Sequence, residues 1–136
     1  MSIYTSNGGS AVVGDGTVTI QYEADGAIIR PGGGKTTPCA YIPMPNPPNT
    51  TDKLQKVSIE CDVSDASIDQ AMVYFGKELI LHLATRKDAS GYCIDVIGTS
   101  SKADSEPYGI DVTLFLNLPN VTSYVKLYSV TLTFSS

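Results

Sequence analysis

His82 is the only histidine in the 136 residues, so any reaction that needs an imidazole must use it. It lies in Leu79–Thr85, where Leu79, Leu81 and Leu83 alternate with Ile80, His82 and Ala84. That alternation turns His82 away from the leucines. If this strand pairs antiparallel with Tyr92–Ile97, and Tyr92, Ile94 and Val96 face the same core, then His82, Cys93 and Asp95 share the outer face of one hairpin. A thiol, an imidazole and a carboxylate so placed form a nucleophile, its base and the group that orients the base. Two considerations weigh against catalysis. The middle of a sheet makes a poor cleft, and no oxyanion hole is in view. A polar cross-strand pair on an outer face accounts for the same pattern.

The other reactive patterns are weaker still. Gly32-Gly33-Gly34-Lys35-Thr36 invites a phosphate-loop reading, but the first glycine of that motif would have to stand where Ile29 does. Pro38 and the prolines beyond it also forbid the helix that the motif must open. Asp62, Asp65 and Asp69 are near one another in sequence, and Asp104 and Glu106 share a polar stretch. Calcium is the one cofactor such acids would suit, yet it needs six or more converging oxygens and no EF-hand spacing is present, so solvated turns are the favoured reading. Hydrolysis by paired carboxylates is a remote alternative, because alternation alone brings no two acids to one cleft. Cys39, Cys61 and Cys93 are odd in number and widely spaced, and read as reduced thiols, mostly buried. No catalytic residue and no metal ligand is assigned.

The tyrosines carry the sharpest hint. There are eight, with no tryptophan. Tyr22, Tyr92 and Tyr128 fall on expected core faces, whereas Tyr4, Tyr41, Tyr108 and Tyr124 fall in or beside loops. An exposed ring next to amides, carboxylates and hydroxyls can hold a sugar. The ring takes the apolar C–H face and the polar groups take the hydroxyls. Tyr41, Asn46, Asp104, Glu106 and Tyr108 are the residues expected to bind such a ligand. The stretch Tyr41–Pro48 is rigid and partly apolar, which suits either a contact surface or a cover for a sheet end.

The elements that must position these residues have a period of two. Val57, Ile59, Cys61 and Val63 alternate with polar residues, as do Ile110, Val112, Leu114, Leu116 and Leu118. Tyr128, Val130, Leu132 and Phe134 form a third such run, which places Val125 on the outer side together with Phe115 of the second run. Alternation of this length marks strands with one face on a core and one toward water. Asp25-Gly26 predicts a tight turn, and Gly76-Lys77 a two-residue type II′ hairpin. Ser64–Gln70 is the one helix candidate, capped by Ser64. Residues 31–38, 43–52 and 98–109 read as surface loops, the second too rich in proline for a central strand. The fold class expected is all-β: an antiparallel β-sandwich, jelly-roll-like, of about eight or nine strands. The absence of tryptophan argues against an immunoglobulin-type arrangement. Residues 110–118 and 124–134 are expected to pair as neighbours at the centre. The whole of 1–136 reads as one domain, with 1–10 as a flexible N-terminal arm.

Charge narrows the partners. Fourteen acids against nine bases give a net charge of −5, and charged residues make up only 17%. A nucleic-acid binder needs clustered Lys and Arg, which are missing here. No apolar run approaches the roughly 20 residues that span a bilayer. The first ten residues lack the basic and apolar parts of a signal peptide, and with the reduced cysteines this suggests a cytoplasmic protein. The closing run Val125–Phe134 resembles the final strand of lectin-like and carbohydrate-binding sandwiches. The expected protein is a non-enzymatic β-sandwich binding module, carbohydrate-binding in a lectin-like manner, with a sugar or glycan as partner and neither nucleic acid nor membrane. The alternative is a structural or assembly subunit of a virion, a phage tail or another homo-oligomer.

Overall fold

The computed structural model describes residues 2–32, 38–45, 53–83, 91–96 and 109–135. Among them are eleven strands: β1 (Ser2–Gly8), β2 (Val13–Gly14), β3 (Val18–Glu23), β4 (Gly26–Pro31), β5 (Cys39–Met44), β6 (Lys53–Ser64), β7 (Ser67–Phe75), β8 (Glu78–Leu83), β9 (Gly91–Val96), β10 (Ile110–Asn117) and β11 (Tyr124–Ser135). They form two antiparallel sheets. Sheet one has the order β3-β4-β11-β6-β9, with β1 also on β11, and sheet two the order β2-β5-β10-β7-β8. The sandwich is the one expected, with more strands than the eight or nine counted from the pattern. A single 3₁₀ turn, Gly9–Ala11, links β1 to β2. No helix among the described residues is long and apolar enough to cross a membrane.

The alternation holds through β10 and one residue past it: Ile110, Val112, Leu114, Leu116 and Leu118 are all buried. They meet Val57, Ile59 and Cys61 of β6 and Val125, Leu127, Val130, Leu132 and Phe134 of β11 in one core. Strands β10 and β11 are each central, but they do not pair. They belong to opposite sheets and face each other across the core. The short link between them crosses the roughly 10 Å between the sheets, a distance a hairpin-length connection also covers, so length does not tell the two apart. Strands β8 and β9 likewise lie in opposite sheets. Strand β8 pairs with β7 in sheet two, and β9 pairs with β6 in sheet one.

Other local expectations shift too. Residues 2–8 are not an arm; each pairs with a residue of Ser129–Ser135. Ser64–Gln70 is not a helix, because β6 ends at Ser64 and β7 starts at Ser67 after a turn in which Asp65 has φ 47°. Asp65 accepts a hydrogen bond from the Asn120 side chain. The first hairpin turns at Ala24-Asp25, one residue earlier than predicted, since Glu23 pairs with Gly26. Gly76 has φ 61° and Lys77 no positive φ, as a type II′ turn requires. Pro43 does stand inside β5, at a point beyond the reach of β2. Its carbonyl accepts Asn7 Nδ2 at 2.7 Å on that open side, where an N–H would have no strand partner.

Two register shifts interrupt the β11–β6 ladder, at Tyr128 and between Thr133 and Phe134, and the first puts its extra residue in β11. Leu127 pairs with Cys61 and Ser129 with Glu60, so Tyr128 is an extra residue, a β-bulge. The bulge resets the alternation. Val125 and Leu127 are buried before it, and Val130, Leu132 and Phe134 after it. Tyr128 therefore leaves the core face and Val125 enters it, the reverse of the expectation. At the bulge β11 also changes its neighbour, from β4 along Val125–Leu127 to β1 along Ser129–Ser135. Tyr22, also expected in the core, stands at the rim of edge strand β3, 57% exposed, with its O–H donated to Val12 O at 2.7 Å.

Candidate functional site

Sheet two turns its even-phase residues of β5 and β10 (Ala40, Ile42, Met44, Val112, Leu114) into the core. The odd-phase residues must then line its outer face. Pairing arranges them in rows across the strands. One row runs Val13, Tyr41, Thr113, Met72, His82 from β2 to β8. The next runs Pro43, Asp111, Tyr74, Leu79, and a third Cys39, Phe115, Gln70. Of the five large apolar or aromatic residues exposed among the described residues, three lie in these rows: Val13, Tyr41 and Leu79. The face is thus a ringed, partly apolar platform with a few polar groups set into it.

Those groups are held in place. His82 Nε2 donates to Gln70 Oε1 at 2.8 Å. Tyr74 O–H donates to Met72 Sδ at 3.7 Å. Tyr41 hydrogen-bonds the thiol of Cys39 two residues earlier, which, with the nearby negative charge of Asp15, holds its phenol above the usual range. Cys39 is buried outside the main core, and burial pushes its thiol up. Its N–H donates to Thr17 Oγ1 at 3.2 Å, and the Thr17 hydroxyl donates in turn to Asp15. The turn between β2 and β3 is thereby pinned over Cys39, next to Tyr41.

Of the five ligand-binding residues expected from the sequence, Tyr41 stands in this platform, and Asn46, Asp104, Glu106 and Tyr108 lie outside the described residues. Strand β5 ends at Met44 and β10 begins at Ile110, and these two residues pair directly. Gly76 N–H donates to Gly109 O at 3.0 Å beside them. The hairpin that would have joined His82 to Cys93 and Asp95 does not exist, because β8 and β9 lie in different sheets. Sequence reasoning missed Met72, Tyr74, Gln70 and Asp111. The signal was present for the first two: with Ala71, Val73 and Phe75 facing inward, their neighbours must face out.

Sheet one presents a different outer face, polar and charged. Tyr128 O–H donates to Asp62 Oδ2 at 2.6 Å. Lys126 Nζ sits 5.2 Å from the centre of the Tyr128 ring and pairs with Glu23 at 3.0 Å and Asp25 at 3.1 Å. Those hydrogen bonds, to Glu23 first and then Asp25, hold the Lys126 ammonium above its ordinary range. Arg30 lies 5.9 Å over the Tyr124 ring and donates to Gln21 Oε1 at 3.1 Å. Among the described residues no three His, Cys, Asp or Glu side chains gather as metal ligands. Asp62 serves Tyr128, Asp65 serves Asn120, and Asp69 Oδ1 accepts Ser67 Oγ at 2.6 Å, so these acids do not converge.

No family model matches the sequence, and no curated protein matches it either. Solved structures match in fold. A family 29 carbohydrate-binding module is similar with a TM-score of 0.53 and 12% identity, over 98% of this chain and 93% of that one. The CBM36-1 domain of a multidomain xylanase from the hindgut metagenome of Trinervitermes trinervoides has a TM-score of 0.52 and 7% identity, over 97% and 96%. A family two carbohydrate esterase from Cellvibrio japonicus has a TM-score of 0.52 and 14% identity over 99% of this chain, which spans only 35% of the esterase. At these identities the likeness is one of fold: the chain is a two-sheet antiparallel sandwich of the kind that carbohydrate-binding modules adopt.

Proposed function

We propose that the chain is a non-catalytic carbohydrate-binding module whose glycan lies on the outer face of sheet two. The observation that carries this reading is the pair of tyrosines, Tyr41 and Tyr74, in adjacent rows of one solvent-facing sheet. They stand two strands apart, roughly 10 Å at about 4.8 Å per strand. An extended chain of several sugar units spans that distance and sets a pyranose face on each ring. Asp111 between them, and the His82–Gln70 pair beyond, accept and donate to hydroxyls. Asp111 is the one carboxylate in the rows named, and glycoside hydrolysis takes two. The same fold in two modules matched over nearly their full length supports the reading.

The test is calorimetric titration of the full chain with neutral β-linked oligosaccharides, with and without a chelator to register any role of calcium. Tyr41→Ala removes about 60 Å² of apolar contact; at ~25 cal/mol/Å² that is roughly 1.5 kcal/mol, about tenfold in Kd. Tyr74→Ala has a similar effect. A folded double variant that binds as tightly as the parent overturns the placement. A second reading, assembly, draws on Val13 and Leu79, 52% and 47% exposed at opposite ends of the platform. It predicts that light scattering finds a closed oligomer and that no oligosaccharide binds.

A further inference from the structure

The bulge in β11 does more than interrupt a ladder. It turns Tyr128 onto the outer face of sheet one, where a cavity of about 210 Å³ opens, lined among the described residues by Glu60, Cys61, Asp62 and Tyr128. At ~30 Å³ per water this space holds about seven waters, the size of one sugar ring rather than of a chain. The tyrosine is fixed at its tip by Asp62 and flanked by Lys126, so its ring is a rigid wall.

Charge decides what the cavity suits. Lys126 is already engaged by Glu23 and Asp25. Among the described residues no cation stands within ion-pair distance of Glu60 or Asp62. Tyr128 registers the resulting field: its hydrogen bond to Asp62, then burial and the charge of Asp62, hold the phenol above its usual range against the opposite push of Lys126. An anionic sugar is repelled here. A neutral sugar brings neither of the two carboxylates a charged partner. A ring that carries an ammonium satisfies both, because charge-assisted hydrogen bonds are about twice as strong as neutral ones.

We infer that this cavity takes one amino-sugar residue, its ammonium between Glu60 and Asp62 and a C–H face of its ring on Tyr128. The inference rests on the carbohydrate-binding reading but names a second site, on the opposite face of the sandwich from Tyr41 and Tyr74. It makes the module two-sided, with a neutral platform and a charge-selective pocket.

The experiment monitors backbone amide signals of the full chain by NMR during titration with three trimers: β-1,4-linked glucosamine, its N-acetylated form, and β-1,4-linked glucose. The glucosamine trimer is expected to shift the signals of residues 60–62 and 128, and the other two to leave them in place. Glu60→Gln, an exposed position, is expected to weaken that binding about tenfold while signals of the Tyr41 platform respond to the glucose trimer as before. Equal response of residues 60–62 to all three trimers overturns the inference, as does no response to any. If the glucose trimer shifts the platform while glucosamine leaves the cavity untouched, the platform reading stands and this one falls. If glucosamine alone binds, at the cavity, this inference stands and the platform reading falls.

Discussion

Four side chains hold their protons longer in the fold than outside it. Cys39 does so because burial disfavours its thiolate, Tyr41 through its bond to that thiol, Tyr128 because its partner Asp62 is negative, and Lys126 because Glu23 and Asp25 stabilise its charge. All four values are raised, from ordinary ones of 9.0 for the thiol, 10.0 for the phenols and 10.5 for the ammonium. A raised group contributes stability that is complete below its unfolded value and is lost as pH climbs through its folded one. The melting temperature is therefore expected to be insensitive to these four groups near pH 7 and to fall once the pH passes about 9 to 10. Ultraviolet titration should show tyrosines that ionise late, and Tyr128→Phe should remove one of them. Lys126→Met should flatten the decline above about pH 10.5, where the ammonium is the group being lost. Ionisation of every tyrosine in one step at the ordinary value, with a constant melting temperature up to about pH 12, would refute this account.

The bulge at Tyr128 depends on two glycines far apart in the chain. A Cβ on Gly9 or on Gly26 would overlap the carbonyl oxygen of Leu127, a backbone atom with no room to retreat. Gly9→Ala and Gly26→Ala are each expected to lower unfolding free energy by at least about 2 kcal/mol in urea melts, as overpacking does when the neighbour cannot move. Ala24→Gly, in the adjoining turn, should cost no more than about 1 kcal/mol. If both alanine variants match the parent, the close packing around Leu127 is not what sets the bulge. This site also marks the limit of what alternation reveals. Along β10 and Leu118 just past it, where the one register shift puts its extra residue, Asp69, on β7 instead, five inward residues were legible one by one. In β11 the same rule succeeded for Val130, Leu132 and Phe134 and inverted Val125 and Tyr128, because one inserted residue flips every side chain before it. No Gly or Pro within β11 announces the insertion, and Gly9 and Gly26 acquire their meaning only once the strands are side by side. The candidate site was legible at Tyr41 for a related reason. Its ring could be read as exposed from its setting, and the outward turn of Tyr74 from the alternation of 71–75, but the place of Tyr74 in the same face as Tyr41 needed the knowledge that β7 and β10 pair and that Asp111 and Pro43 share its row.

The two sheets are tied together at the place where the sequence suggests a loose end. Strand β1 lies along β11 for seven paired residues and occupies the edge that β4 leaves open beyond the bulge. Ser6 Oγ is 3.0 Å from Thr131 Oγ1, and Asn7 reaches across to Pro43 of sheet two, so β1 stitches one sheet to the other. Without it, Ser129–Ser135 would have a partner only on the β6 side. A row of unpaired N–H and C=O groups on a long, flat strand is a template for another copy of the chain. A variant that lacks residues 1–8 is thus expected to be less stable and more prone to self-associate. At a cost of about 3 kcal/mol its melting temperature should drop by roughly 10 °C. Light scattering across a concentration series should show its mass rising with concentration more steeply than that of the full chain. Lys or Glu substitutions on β11, such as Thr131→Lys on the outer face, should suppress the association without restoring the melting temperature, because charge guards an edge but does not pair it. If instead the shortened chain melts with the parent and scatters as the parent does, β1 contributes nothing to closure, and residues 1–8 behave in solution as a free arm.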